Sequence, residues 1–226
     1  MKYPFSNLIN YFKKLVYLFV LIGFNVVHAG SYDDFFKAIK QDNAVDVSAL
    51  LNRGFDPNTL DATGLPGLML ALKNDAFKVA SVLLSHTQIK VEVRNSADES
   101  PLMLAALKGE LQLCRLMIQK GGDVNKPGWT PLHYAATHGH LEVLNLLLEE
   151  HAYIDAASPN NTTPLMMAAQ YGTPAAVKLL LEAGADPMLK NDLGLHAIDF
   201  AVRAQRMESA DIISAFVRGK QAKGSW

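Results

Sequence analysis

Apolar and polar positions along this chain form two kinds of helical stripe, and the pair of stripes returns at a nearly fixed interval. The aligned apolar positions Leu68, Leu102, Leu132, Leu165 and Ile198 are separated by 34, 30, 33 and 33 residues. A period near 33 predicts stacked supersecondary units, which bury their apolar faces against neighbours rather than around one central cleft. Each copy opens with a short apolar stretch and small residues: Ala71, Ala105-Ala106, Ala135-Ala136, Ala168-Ala169 and Ala201. A second stripe at helical spacing follows, as in Leu141, Val143, Leu144, Leu147 and Leu148, or Leu179-Leu180-Leu181. The pattern predicts an all-α chain of helix pairs.

The flanking residues mark the helix ends. Thr130, Thr163 and Ser100 suit an N-cap, since a hydroxyl satisfies an orphan amide of the first turn. Pro101, Pro131 and Pro164 follow them, at the first helical position, where a missing N–H is harmless. Gly109, Gly139 and Gly172 are predicted to end the first helices in a left-handed conformation. Gly54, Gly121 and Gly184 stop the second helices, and Asp-Pro or Asp-Val-Asn then begins an extended segment. Residues Phe35 to Asn58 supply only the second half of the pattern, through Val47, Leu50, Leu51, Gly54 and Asp56-Pro57-Asn58.

The best-formed copy reads Thr130-Pro131-Leu132-His133-Tyr134-Ala135-Ala136, with Gly139-His140 and Leu146-Leu147-Leu148 after it. It resembles the ankyrin repeat, and the resemblance runs over roughly residues 33 to 218. It implies a solenoid of antiparallel helix pairs with β-turn fingers, spanning 30–218. The units are 33–60, 61–93, 94–125, 126–156, 157–190 and 191–218, the first of them a degenerate half-unit. The departures are graded. Met69, Met103 and Met166 replace the motif His, so the bond from that His to a neighbouring finger is available only at His133. The finger at Lys126-Pro127-Gly128 is three residues short, and Pro66-Gly67 stands where other units have Thr-Pro or Ser-Pro.

The resemblance also implies a non-catalytic protein-binding module that uses its finger tips and concave helix face. The tip positions are Leu65, Glu99, Trp129, Thr162 and Leu195. The concave positions are Lys73, Leu107, Lys108, Thr137, His138, Gln170, Tyr171 and Arg203, with Asn74 and Ala204 beside them. Leu107, Trp129, Tyr171 and Leu195 are apolar or aromatic where solubility favours polar residues, and such anchors dominate interface energetics. Trp129 has a second reading, as a ring folded back over the shortened finger. Leu70, Leu104, Tyr134, Met167 and Phe200 form a further stripe, expected to be core because the motif itself prefers Leu there.

Residues 1–29 carry Lys2, Lys13 and Lys14 with no acidic residue, then the apolar run Leu15 to Val27 and Val27-His28-Ala29. This is the layout of a cleavable secretory signal peptide, with cleavage after Ala29. The alternative is a retained anchor, but a spanning helix needs about 20 apolar residues. Cleavage leaves 18 basic and 22 acidic residues. That mildly negative chain argues against nucleic acid and gives no reason to bind anionic membrane. Cys114, the single cysteine, reads as a buried hydrophobe. His133, His138 and His140 lack the carboxylate or thiolate that would complete a metal site. Asp33-Asp34 and Glu149-Glu150 read as solvated helix ends, and no phosphate loop or nucleophile elbow is present. With that export signal, the chain resembles exported bacterial ankyrin-repeat proteins, and the resemblance implies a monomeric binding module without cofactor in the bacterial periplasm, an accessory or immunity-type factor. The alternative is a secreted effector that binds a host protein. Residues 219–226 read as a disordered tail.

Overall fold

The computed structural model describes residues 30–222; the expected signal segment and residues 223–226 lie outside them. The described residues divide into two compact units, 30–83 and 84–222, the boundary falling inside the fourth helix. Among the described residues both are helical without named strands.

The first unit contains α1 (residues 30–40), α2 (Ala44–Asn52), α3 (Gly67–Lys73) and α4 (Phe77–Ser85). The segment expected to supply half a repeat is thus a complete helix pair. Helix α1 lacks the motif but carries the required stripe: Phe35, Phe36, Ala38 and Ile39 are buried. Phe35 packs on Phe55 with ring centroids 4.6 Å apart. A Cβ on Gly67 would stand 2.9 Å from the Phe35 ring and 3.1 Å from Ile39, so this unit has glycine where the next three have Pro101, Pro131 and Pro164. The N-cap Pro66 offers no side-chain bond. The preceding turn is instead held by Asp61, whose Oδ1 accepts from the Thr63 hydroxyl (2.6 Å), Thr63 N (2.8 Å) and Leu65 N (2.9 Å). Burial pushes this carboxyl upward, but these hydrogen bonds outweigh it and hold its pKa below the ordinary value.

The second unit contains α5 (Pro101–Lys108), α6 (Leu111–Gln119), α7 (Pro131–His138), α8 (Leu141–Glu149), α9 (Pro164–Gln170), α10 (Pro174–Glu182), α11 (Ala197–Arg203) and α12 (Met207–Ala222). Successive first helices α5, α7, α9 and α11 pack side by side, with Leu102, Leu132, Leu165 and the alanine pairs fully buried between layers. Small residues permit this close approach without voids. Cys114 is buried in α6, and burial pushes its thiol pKa up to about 12, so it is an inert packing residue.

Helix starts follow the predicted chemistry with one variation. Ser100 Oγ accepts from Met103 N (3.2 Å) and Thr163 Oγ1 from Met166 N (3.3 Å). In return Met103 Sδ and Met166 Sδ accept from the N-cap amides at 3.3 and 3.4 Å. Methionine sulfur thus takes over the capping half of the motif histidine's work. Gly109 and Gly139 adopt left-handed φ of 75° and 70°, as predicted. Gly172 does not: α9 ends on Tyr171 at φ −125°. Glycine is required there for space, because a Cβ would fall on the Ala136 carbonyl oxygen. The expected disordered tail begins too early: residues 219–222 continue α12, with Lys220 Nζ 5.0 Å from the Phe216 ring centroid, and residues 223–226 lie outside the described residues.

His151 holds φ of 63° where the equivalent Gly121 and Gly184 lie at 87° and 108°. A side chain in this region costs about 1 kcal/mol. Chemical denaturation of His151→Gly should show a gain of about that size.

Candidate protein-binding face

The face of the second unit is built around His133, which is fully buried on α7. Its Nδ1 lies 3.2 Å from Thr130 N and 2.9 Å from Thr130 Oγ1. The amide can only donate, so Nδ1 is the acceptor and the ring proton sits on Nε2. Nε2–H then donates to the Thr162 carbonyl at 2.9 Å and bolts the next finger to α7. Burial holds the imidazole pKa down at about 4, which keeps the ring neutral in this role. The finger closes on itself through Thr162 N to Ser158 Oγ (2.9 Å) and Ser158 N to Thr162 O (3.0 Å).

The shortened finger before α7 solves its turn differently. Elsewhere an Asp, Asn or Ser side chain accepts the tip amides, as Asn95 does from Ala97 N and Glu99 N, and Asn191 from Leu193 N and Leu195 N. Here Lys126 reverses the polarity, donating from Nζ to the carbonyls of Pro127 (2.9 Å) and Trp129 (3.2 Å) and pairing with Asp98 at 2.5 Å. Its side chain is 6 % exposed. The hydrogen bond from Lys126 is the main influence holding the Asp98 carboxyl below its ordinary pKa. Lys126→Ala should release this finger, read as a red shift of Trp129 fluorescence.

Trp129 is half-buried, edge-on to His133 with centroids 5.2 Å apart. It lines two hollows. One, about 530 Å³, lies among finger residues including Lys126, Pro127, Ser158 and Pro159. The other, about 340 Å³, is lined by Trp129, Asn160, Thr162, Met167, Gln170, Tyr171, Asn191, Leu193, Leu195, Phe200 and Arg203. Trp129, Thr162, Gln170, Tyr171, Leu195 and Arg203, all expected from the sequence, therefore meet at one place. The Trp129 ring, half-buried and edge-on to His133, walls both hollows.

The remaining expected residues are placed elsewhere. Leu65 and Lys73 belong to the first unit. Glu99 accepts from the Tyr134 hydroxyl (3.0 Å) and Asn95 Nδ2 (2.6 Å), which ties its carboxylate into the fold. The Thr137 hydroxyl bonds back to the His133 carbonyl at 2.8 Å. Lys108 and His138 are exposed on the ends of α5 and α7, and Leu107 is half-buried with its carbonyl accepting from His140 Nε2 at 2.9 Å. Thr162 is corrected from a finger tip to a buried wall residue, 3 % exposed, because the His133 bond draws its backbone inward. The stripe expected to be core is also corrected. Only Leu104 is buried, while Leu70, Tyr134, Met167 and Phe200 are half-buried, the last two lining the hollow.

Sequence reasoning missed Leu193, 76 % exposed at the finger tip. The signal was present: the aligned positions, two residues after Asp61, Asn95, Ser158 and Asn191, are Thr63, Ala97, Asn160 and Leu193. Among the described residues no three His, Cys, Asp or Glu side chains form a group able to hold a metal. No described helix is long and apolar enough to cross a membrane.

Comparisons with known proteins agree with this geometry. Family models of ankyrin repeats match residues 35–127, 88–160 and 152–201. The nuclear factor NF-kappa-B p105 subunit of Mus musculus is 32% identical over 153 residues, covering 65% of this chain and 16% of that protein. The human transient receptor potential cation channel subfamily A member 1 is 29% identical over 166 residues, covering 68% and 15% respectively. The chain thus spans about a sixth of the length of these relatives. Among solved structures, a chain of the Bd0816 predatory endopeptidase complex with immunity protein Bd3460, from Bdellovibrio bacteriovorus, is similar with a TM-score of 0.69. Its identity is 28%, over 80% of this chain and 97% of that one. An ankyrin repeat domain from Acinetobacter baumannii AYE shares the fold, with a TM-score of 0.68, 24% identity and coverage of 80% and 96%.

Proposed function

The chain belongs to the ankyrin repeat family, and from that premise we propose that it is a non-catalytic binding module, exported to the bacterial periplasm, whose second unit docks a protein partner. One observation carries the docking site: side chains from three fingers and two first helices converge on the 340 Å³ hollow, with Tyr171 51 % and Leu193 76 % exposed at its rim. Apolar anchors around a concave site supply most of the binding energy in protein interfaces. Export rests on the basic start and apolar run of residues 1–29. An accessory or immunity-type role fits this size and export, and the similarity to a chain of the endopeptidase–immunity protein complex supports the immunity form.

The mature protein should begin at Gly30, measured by intact mass after fractionation, and should leave the cell with the periplasmic fraction. Affinity capture from the producing cells should retain one stoichiometric partner with the natural protein. Tyr171→Ala combined with Leu193→Ala should weaken that complex by at least about tenfold, the scale of losing interface anchors. A partner held equally by both proteins would place the binding surface elsewhere.

A further inference from the structure

Arg203 stands at the edge of the hollow without an ion pair or hydrogen bond among the described residues. No carboxylate lines the hollow. The acidic residues nearest in sequence are already committed. Asp199, one turn earlier on α11, accepts from His196 N at 2.8 Å and faces His196 Nδ1 at 3.5 Å. Asp192, on the neighbouring finger, accepts from Asn161 Nδ2 at 2.6 Å. The site thus offers a hollow of mixed polarity, with one apolar and aromatic wall, beside one uncompensated guanidinium whose planar fork matches a carboxylate.

Resting on the protein-binding reading above, we propose that the hollow takes a partner segment in which an aromatic or aliphatic side chain is directly followed by an Asp or Glu. The apolar side chain enters between Trp129, Met167, Tyr171 and Phe200, and the carboxylate pairs with Arg203. The match of charge at Arg203 favours an acidic residue over a neutral or basic one at that place in the partner, which makes the pair a determinant of which partner binds.

The test uses the whole protein with Trp226→Phe, which leaves Trp129 as the only indole of the two in the chain. Its fluorescence reports binding of capped peptides Gly-Phe-Asp-Gly, Gly-Phe-Asn-Gly and Gly-Phe-Lys-Gly, up to roughly millimolar concentration, the range suited to so small a ligand. The Asp peptide should bind about tenfold more tightly than the Asn peptide. Arg203→Gln should bring the two to parity, and Arg203→Glu should prefer the Lys peptide. Arg203 is exposed, so both variants keep the fold. Parity in the natural protein, an Asp preference that survives Arg203→Gln, or no binding of any peptide overturns the proposal. If the captured partner still depends on Tyr171 and Leu193, such a result removes only the acidic-segment class. If that dependence is also absent, the docking site itself is wrong.

Discussion

Replacing His133 with alanine should destabilise the protein by about 4 kcal/mol at neutral pH, measured by urea denaturation. The change leaves the Thr162 carbonyl and Thr130 amide without their partner, each worth about 1–3 kcal/mol when buried, and opens a cavity under Trp129. His133→Met should lose roughly half as much. Met103 and Met166 show that a sulfur at this position still caps the helix, so only the bond to the finger disappears. The same residue sets an acid limit. Its folded pKa of about 4 lies below the unfolded value near 6.5, so between these values the unfolded chain binds a proton that the folded one refuses. The stabilisation is complete above pH 6.5 and is lost as pH falls toward 4, by about 3 kcal/mol. His133→Met should remove this part of the pH dependence, and an unchanged acid slope in that variant would assign the sensitivity to other groups.

Gly172→Ala should cost about 3 kcal/mol, at the upper end of overpacking effects. The added methyl meets only backbone: the Ala136 carbonyl oxygen, and the Cα and carbonyl oxygen of Ala168, both at 2.9 Å. No rotamer change relieves it, so α7 and α9 must separate. Gly184→Ala provides the contrast. Its φ is 108° with open space around the site, so the cost is conformational alone, about 1 kcal/mol. Equal losses in the two variants would show that α7 and α9 are not held at this separation. Because Tyr171 adjoins Gly172, the Gly172 variant should also weaken binding at the hollow beyond its effect on folding.

The sequence pattern disclosed the repeat because that information is local and periodic. Leu68, Leu102, Leu132, Leu165 and Ile198 mark the same turn of successive first helices, and their caps are written in adjacent residues. What escaped was compensation between distant segments. Helix α1 carries no motif, since its place is secured by Phe35 against Phe55 and Gly67 rather than by a Thr-Pro start. Gly172 was visible as glycine, but whether it served φ or space depended on Ala136, thirty-six residues earlier. Lys126 looked like a remnant of a truncated finger, and only the folded chain turns it toward two carbonyls and Asp98. The face was partly legible for the same reason. Trp129, Tyr171, Leu195 and Arg203 occupy positions the repeat leaves free, whereas Met167 and Phe200 occupy positions where the motif prefers an apolar residue. Their partial exposure could not be read from a column that is apolar in every unit.

The docking of a protein partner on the second unit is tested most directly by site-specific photo-crosslinking in the cells that produce the protein. A benzophenone amino acid placed at Leu193, on the rim of the hollow, should give one discrete heavier adduct. The same group at Lys178, exposed on the second helix α10 and outside that hollow, should give none. An adduct from Lys178 alone, or none from either position while the partner is still captured, would contradict the assignment of this face.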